Sequence, residues 1–405
     1  MSLVQPIAAA QLRPTLDDLM TAAVRVADLG RTEAQATERN RRVSPELVAA
    51  MRDAGFYRIL QPTAWGGYEL DFATYSTVLS RVAQGDGSLG WTLMTGSIHQ
   101  WLISLFPRDA QEEIWGNMNG DFAAGSYAPS GKATIVDGGY RVSGMWSFAS
   151  GCDSATWLLL GAMFQQPEEL GPKPGFFLVP KKNYRIDDDS WNVAGLSGSG
   201  SKDVYLDDVF VPQHRILYFA EATSGAAPGT EFNTNPMYRI PFMACVPVCL
   251  VSPVIGMADA AVEVFTSFAR AQVTRGAVAG GGKTVADYQT IQLRVGEAAA
   301  SVDAARALLM RDINETVSLA NGGSSIGVDV RIRNRRDHAF CAKLATNAVD
   351  LLFAAAGGRS LGLDQPLQRI WRDIHAAGVH ISLNWDSTGS MYGQHALGLQ
   401  PQGQY

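Results

Sequence analysis

Apolar residues recur at three- and four-residue spacing over 16–105, the period of helices with one buried face. Ser44-Pro45-Glu46 sets a capping hydroxyl, a first-position proline and a first-turn acid ahead of Leu47, Val48 and Met51. That predicts a helix ending near Gly55. Trp65-Gly66-Gly67 predicts a tight turn, and 72–105 returns to helical spacing around a break at Gly85-Asp86-Gly87. Over 120–220 the pattern shortens. Val136-Asp137-Gly138-Gly139-Tyr140-Arg141-Val142 is a hairpin signal, and 157–161, 176–179 and 204–211 are strand-like runs between turn residues. Beyond residue 223, long amphipathic stretches cover 251–273, 286–320, 328–356 and 366–397, with Gly357-Gly358 as a stop and Pro366 opening the last. Helices, then strands, then helices is not the βαβ alternation of a nucleotide-binding α/β fold. It predicts three domains, 1–119, 120–222 and 223–405.

With 46% hydrophobic and 18% charged residues, the 405-residue chain can bury a large core. Its net charge of -6 excludes the basic footprint that nucleic acid or an anionic membrane would require. The N-terminus shows no cationic and apolar leader pattern. The most apolar run, 246–261, is interrupted by Pro247, Pro253 and Asp259 before it reaches about 18 residues. Cys152, Cys245, Cys249 and Cys341 are too few and scattered for a disulfide framework, and no partner completes a zinc set beside Cys245 and Cys249. The expectation is a cytoplasmic, reduced, metal-free protein.

Candidate chemistry is sparse when each residue is read alone. Gly195-Leu196-Ser197-Gly198-Ser199-Gly200 has the wrong glycine spacing for a dinucleotide fingerprint and leads into a strand, so it reads as a turn near a ligand. Gly280-Gly281-Gly282-Lys283 reads as a helix–helix loop. His99, in an apolar helical stretch after Trp91, reads first as a satisfied core histidine and second as a catalytic one. Asp373 and His380, seven apart in the stretch expected to be the last helix, would share a helix face. Trp146-Ser147-Phe148-Ala149-Ser150-Gly151 offers an aromatic wall and hydroxyls at a strand end.

Taken together and in order, these segments do more. Gln61-Pro62 through Trp65-Gly66-Gly67, Gly87 through Trp91 to His99, Ser126-Tyr127-Ala128-Pro129 and Asp137-Gly138-Gly139-Tyr140 form the first half of a pattern. Trp146 through Cys152, Gly198 through Asp203 into Asp208-Val209-Phe210-Val211-Pro212, and Gln368 through Asp373 to His380 complete it. The chain resembles the acyl-CoA dehydrogenase superfamily, specifically its reduced-flavin monooxygenase branch, which includes the oxygenase components of 4-hydroxyphenylacetate 3-hydroxylase and secosteroid phenol hydroxylase. The resemblance implies an α+β fold with an N-terminal helical domain, a central β-barrel or sandwich and a C-terminal four-helix bundle. The dehydrogenases carry a catalytic glutamate nine residues after the arginine of the Arg372-Asp373 pair. Ile381 stands there, preceded by the histidine of the monooxygenase branch, His380.

By the same resemblance, a separate NAD(P)H-dependent reductase supplies FMNH2 or FADH2, and O2 is the co-substrate. A C4a-hydroperoxide then hydroxylates a small aromatic, phenolic substrate. The alternatives are an indole, nitrogen or sulfur centre, or an acyl-CoA dehydrogenase. Ser150 would sit near flavin N5, and His380 would flank the reacting centre. His99 and Ser126, with Trp91, would hold the substrate, and His99 would help to deprotonate it. Trp146, Phe148 and Ala128 would line the flavin. Arg239 and Arg275 would contact it, although Val278 stands where an aromatic usually accompanies the arginine. A homotetramer is implied as well.

Overall fold

The computed structural model describes residues 13–165, 171–273 and 283–405. It opens with five helices: α1 (Leu16–Asn40), α2 (Pro45–Asp53), α3 (Phe72–Ala83), α4 (Gly87–Ile103) and α5 (Arg108–Trp115). The Ser44 hydroxyl accepts from the Leu47 amide at 3.2 Å and caps α2 as its sequence predicts. The break between α3 and α4 is set by packing. A Cβ on Gly85 would lie 2.1 Å from the Ala27 carbonyl oxygen of α1, and the Asp86 side chain then caps α4 through the Leu89 amide at 2.8 Å.

Seven strands follow: β1 (Ala123–Val136), β2 (Gly139–Ala149), β3 (Trp157–Phe164), β4 (Lys173–Pro180), β5 (Arg185–Asp187), β6 (Lys202–Pro212) and β7 (Ile216–Tyr218). They form one sheet in the order β5-β6-β2-β1-β3-β4-β7, a single mixed sheet where the sequence suggested a barrel or sandwich. The expected hairpin is β1–β2, paired from Lys132↔Ser143 to Val136↔Gly139. β1 also runs parallel to β3, with its register shifting between Ser126 and Gly131. This non-local pairing lies beyond the short-range alternation that predicted the strands.

After α6 (Phe219–Ser224), the long helices α7 (Phe242–Ala271), α8 (Gln289–Asn321) and α9 (Val328–Ala356) pack on one another and on α3 and α4. α7 starts before its two prolines, and Pro247 and Pro253 both lie inside it. Neighbouring hydroxyls brace that stretch: Ser252 Oγ donates to the Val248 carbonyl, and Ser80 Oγ of α3 donates to the Ser252 carbonyl. By length and composition α7 and α9 could cross a membrane, with mean hydropathies of 1.9 and 1.4. For α7, 89% of its apolar window is buried within the fold, as in the core helix of a folded domain.

The stretch 366–397 is not one helix. It divides into α10 (Pro366–Gly378), a 3-10 turn over Ile381–Leu383 and α11 (Trp385–Ala396). His380 therefore lies beyond the end of α10 and shares no helix face with Asp373. Arg275, Val278 and Gly280–Gly282 lie outside the described residues.

Candidate active site

Every residue of α4 is buried, which marks it as a core helix whose polar side chains must find partners on neighbouring elements. His99 Nδ1 lies 2.8 Å from the Ala123 carbonyl oxygen at the start of β1. A carbonyl only accepts, so Nδ1 carries the proton and Nε2 keeps its lone pair. Among the described residues, Nε2 has no hydrogen-bond partner. Burial pulls the His99 pKa down to about 4, against the opposing effect of the Ala123 bond. At neutral pH His99 is an uncharged base inside the protein.

Two turns earlier on α4, Trp91 donates its indole N–H to Ser150 Oγ at 3.2 Å. Ser150 Oγ lies 2.7 Å from Ser201 Oγ, which lies 2.7 Å from Ser199 Oγ. The three hydroxyls form a buried chain ending at Ser150. Ser150 in turn bridges to Gly125 of β1. A Cβ at Gly125 would fall 1.9 Å from the Leu159 carbonyl oxygen and 3.2 Å from His99 Cε1. Only glycine lets β1 lie this close to β3 and to the His99 ring.

The fourth member is His380, whose ring meets Trp91 edge-on with centroids 6.0 Å apart. Its Nδ1 accepts from the Ser382 amide at 3.1 Å, so the neutral ring carries its proton on Nε2. Burial, with Arg335 adding to it, lowers its pKa to about 4. His99 and His380 are thus neutral in opposite tautomers, one presenting a lone pair and the other a proton.

Behind this group, Asp373 Oδ1 accepts from the Leu196 amide at 2.6 Å, and Arg369 Nε lies 3.9 Å from Asp86. Burial raises the pKa of both carboxyl groups, most strongly that of Asp373, with Glu38 adding to it at Asp86 and Asp86 adding to it at Asp373. They tie the start of α4, α10 and the 195–200 segment together, and so hold Trp91, Ser199 and Ser201 in place. Gly195 and Gly198 pack against the Arg372 carbonyl and Thr37, so the turn over 195–200 is buried against α10 and α1.

The structure thus gathers Trp91, Ser150 and His380, with His99 one strand away. Ser126 is half-buried and its hydroxyl has no partner; strand alternation brings Gly125 and Tyr127, not Ser126, against His99. Ala128 and Arg239 are exposed. Trp146, expected to wall a flavin, is fully buried and donates to the Gly161 carbonyl at 2.7 Å. Its ring packs under the sheet against Phe177. Phe148 faces outward instead, 68% exposed. Reading the sequence missed Ser199, Ser201 and Thr92, whose buried hydroxyl lacks a partner. The only signal was the Ser-Gly-Ser-Gly-Ser run over 197–201.

Two acyl-CoA dehydrogenase families match the chain, the N-terminal domain over residues 17–117 and the C-terminal domain over 248–385. The FADH2-dependent resorcinol hydroxylase oxygenase component of Rhizobium sp. (strain MTP-10005) is 44% identical, covering 94% of each chain. The crystal structure of 3-HSA hydroxylase from Rhodococcus sp. RHA1 superimposes with a TM-score of 0.90 at 35% identity, covering 95% of this chain and 98% of that one. XiaF from Streptomyces sp., solved with FADH2 and glycerol, gives 0.87 at 27% identity, covering 96% and 97%. The chain belongs to the acyl-CoA dehydrogenase family, in its branch of flavin-dependent monooxygenases that act as the oxygenase component beside a separate reductase.

Proposed function

We propose that this oxygenase places one atom of O2 on a small phenol in the cleft between α4, the start of β1 and the turn after β2. One observation carries the reading: His99 holds an unprotonated, partnerless Nε2 in a buried site, one strand from the Ser150 hydroxyl. A phenol that gives up its proton becomes a far better nucleophile at ring carbon; His99, weakened as a base by burial, is neutral at pH 7 and can accept that O–H as a hydrogen bond and take its proton as charge moves onto the ring. The name of the resorcinol hydroxylase, a relative at 44% identity, supports a phenolic substrate. At the position of the dehydrogenase base stands Ile381, 82% exposed, which has no proton-accepting atom.

The residues fit a flavin ring. Thr92 Oγ1 is buried without a partner, and Gly125 and Gly151 leave backbone bare where side chains would crowd His99 and Thr92. When bound, reduced flavin supplies the electrons that activate O2. Ser150 offers its hydroxyl to the flavin edge, held in place by Trp91 and Ser201. His380 offers its Nε2 proton to the reacting oxygen. Ser126 offers a second hydroxyl of β1 to the substrate, while Phe148 and Ala128 flank the cofactor. Trp146 supports the strand from below, and Arg239 is the arginine to test at the cofactor's periphery. The buried walls of α4 keep water from the reacting groups. With its NAD(P)H-dependent reductase, the protein works in the cytoplasm, and FADH2 is the first flavin to test because the resorcinol hydroxylase is named for it.

The test mixes anaerobic protein and FADH2 with 18O2 and a panel of phenols, indoles and sulfides, followed by mass spectrometry. One 18O atom on a phenolic ring carbon is the expected result. Label on an indole, nitrogen or sulfur centre alone would replace this reading, as would acyl-CoA oxidation without label.

A further inference from the structure

Four arginines crowd the first half of α9, and one is unlike the others. Arg333 pairs with Glu315 at 2.7 Å, Arg336 pairs with Asp337 at 2.6 Å, and Arg331 lies over the Tyr405 ring. Arg335 turns inward instead. It is 6% exposed, and its Nε has no partner. Burial pulls its pKa down to about 10, and no carboxylate among the described residues pulls it back. A guanidinium taken out of water without a counter-ion is costly, so its place calls for a use.

The use is visible in one bond. Arg335 Nη1 donates to the Ser382 carbonyl at 3.0 Å. Ser382 is the residue whose amide donates to His380 Nδ1 at 3.1 Å and so leaves the ring proton on Nε2. The chain neighbours of that ring do not hold it. α10 has ended at Gly378, and Val379 and Ile381, on either side of His380, are each 82% exposed. Arg335 also acts through its charge. On the neighbouring elements, Arg369 faces Asp86, Asp373 accepts from the Leu196 amide and Asp259 pairs with Arg306. Arg335 alone among the charged groups lowers the His380 pKa, and it does the same to His338 one turn along α9.

We propose that Arg335 is the positioning residue for His380: through Ser382 it fixes the direction of the ring and keeps the proton on the nitrogen that faces the reacting oxygen. This rests on the reading that His380 offers its Nε2 proton there. A lone cation suits the task better than an ion pair. A carboxylate beside Arg335 would cancel its charge and favour an imidazolium at His380. With a proton on both nitrogens, that ring could no longer accept from the Ser382 amide and would lose the bond that aims it.

The experiment mixes full-length protein, FADH2 and a phenol labelled in the 18O2 test, resorcinol first, without oxygen. O2 is then added, and product is followed in a single turnover between about pH 5 and pH 9. The parent is compared with Arg335→Met, Arg335→Gln, Arg335→Lys, His380→Asn and the double variant Arg335→Met with His380→Asn, with a melting temperature for each. Arg335→Met should slow hydroxylation by roughly ten- to hundred-fold, as a displaced group does, while the phenol concentration at half-saturation stays the same. Its rate should also fall off at a higher pH on the acid side, because the His380 pKa rises when the cation is gone. Arg335→Lys restores a charged donor and should recover most of the rate. Arg335→Gln keeps a donor without the charge. It should keep more of the rate than the methionine variant yet show the same shift on the acid side, and it decides the matter if the methionine variant does not fold. In the His380→Asn chain, Arg335→Met should add no further loss. A parental rate and acid limb in the folded arginine variants, or losses that multiply in the double variant, would reduce Arg335 to a packing residue. If His380→Asn alone hydroxylates at the parent rate, the reading of His380 falls first and takes this inference with it.

Discussion

The indole N–H of Trp91 donates to the hydroxyl of Ser150 across 3.2 Å, joining the core helix to the turn after β2. Because an indole can only donate, it takes one of the serine's two lone pairs and limits how the hydroxyl can turn. Ser201, at 2.7 Å, constrains it from the other side. Ser150 is therefore a held hydroxyl.

Coupling should depend on that hold. Ser150→Ala should still bind reduced flavin but release more H2O2 and less hydroxylated product per NADH consumed. Trp91→Phe, which keeps the ring but removes the donor, should shift the same ratio in the same direction by a smaller amount. Product-to-NADH ratios that match the parent in both variants would reduce Ser150 to a turn residue.

His99→Asn separates a base from a core residue. If Nε2 takes the phenol proton, hydroxylation in a single turnover should slow by roughly 10²–10⁴-fold, and raising the pH should restore part of the rate as solvent supplies phenolate. A residue with only a packing role would instead lower stability by about 1–3 kcal/mol and leave the chemical step at its normal rate. Melting temperature and single-turnover rate, measured on the same preparation, decide between them.

Acid should unfold this protein through its buried histidines. Burial lowers the pKa of His99 and His380 to about 4 and of His338 to about 3, below the ordinary 6.5. His338 is fully buried and neither ring nitrogen has a partner. A depressed folded-state value means the stabilisation is complete above pH 6.5 and is lost as the pH falls toward 4 and then 3. At about 1.4 kcal/mol per unit, each imidazole contributes on the order of a few kcal/mol. The raised Asp86 and Asp373 act in the opposite sense, losing their contribution as the pH rises. His338→Leu should therefore lose less stability than the parent between pH 8 and pH 5 in urea melts. Equal losses would remove His338 from the acid transition.

Assembly is the fourth expectation. Leu361, Leu363, Val379, Ile381, Leu397 and Leu399 are all more than half exposed, an unusual concentration of apolar surface in one region of the chain. We propose a homotetramer built through the C-terminal helices, which would also cover the segment carrying His380. Light scattering at micromolar concentration should give four times the chain mass, and a monomer would end the idea.

The elements were legible where the signal is local. Ser44-Pro45 starts α2, and the 328–356 stretch coincides with α9, because caps and helical spacing are short-range properties. His380 was misplaced for the same reason. Gly378 and Val379 continue an amphipathic-looking run, but the helix ends at Gly378 and the His380 ring caps the 3-10 turn that follows. Trp146 is turned inward along β2, where its indole bonds to the Gly161 carbonyl, a partner 15 positions away that local pattern does not reveal. The serine chain showed only as the Ser-Gly-Ser-Gly-Ser run, because Ser150 and Ser201 are 51 positions apart and meet only when β2 and β6 pair.

α7 is synthesised after α3 and α4, which cover one side of it, and before α8, α9 and α10, which cover the rest. On the ribosome, its most apolar window waits for α9 to emerge, on the order of ten seconds at ordinary elongation rates. For that interval the nascent chain displays what a targeting factor or a holdase would take for a membrane anchor. The yield of this protein in a foreign host should therefore respond to translation speed over residues 272–356.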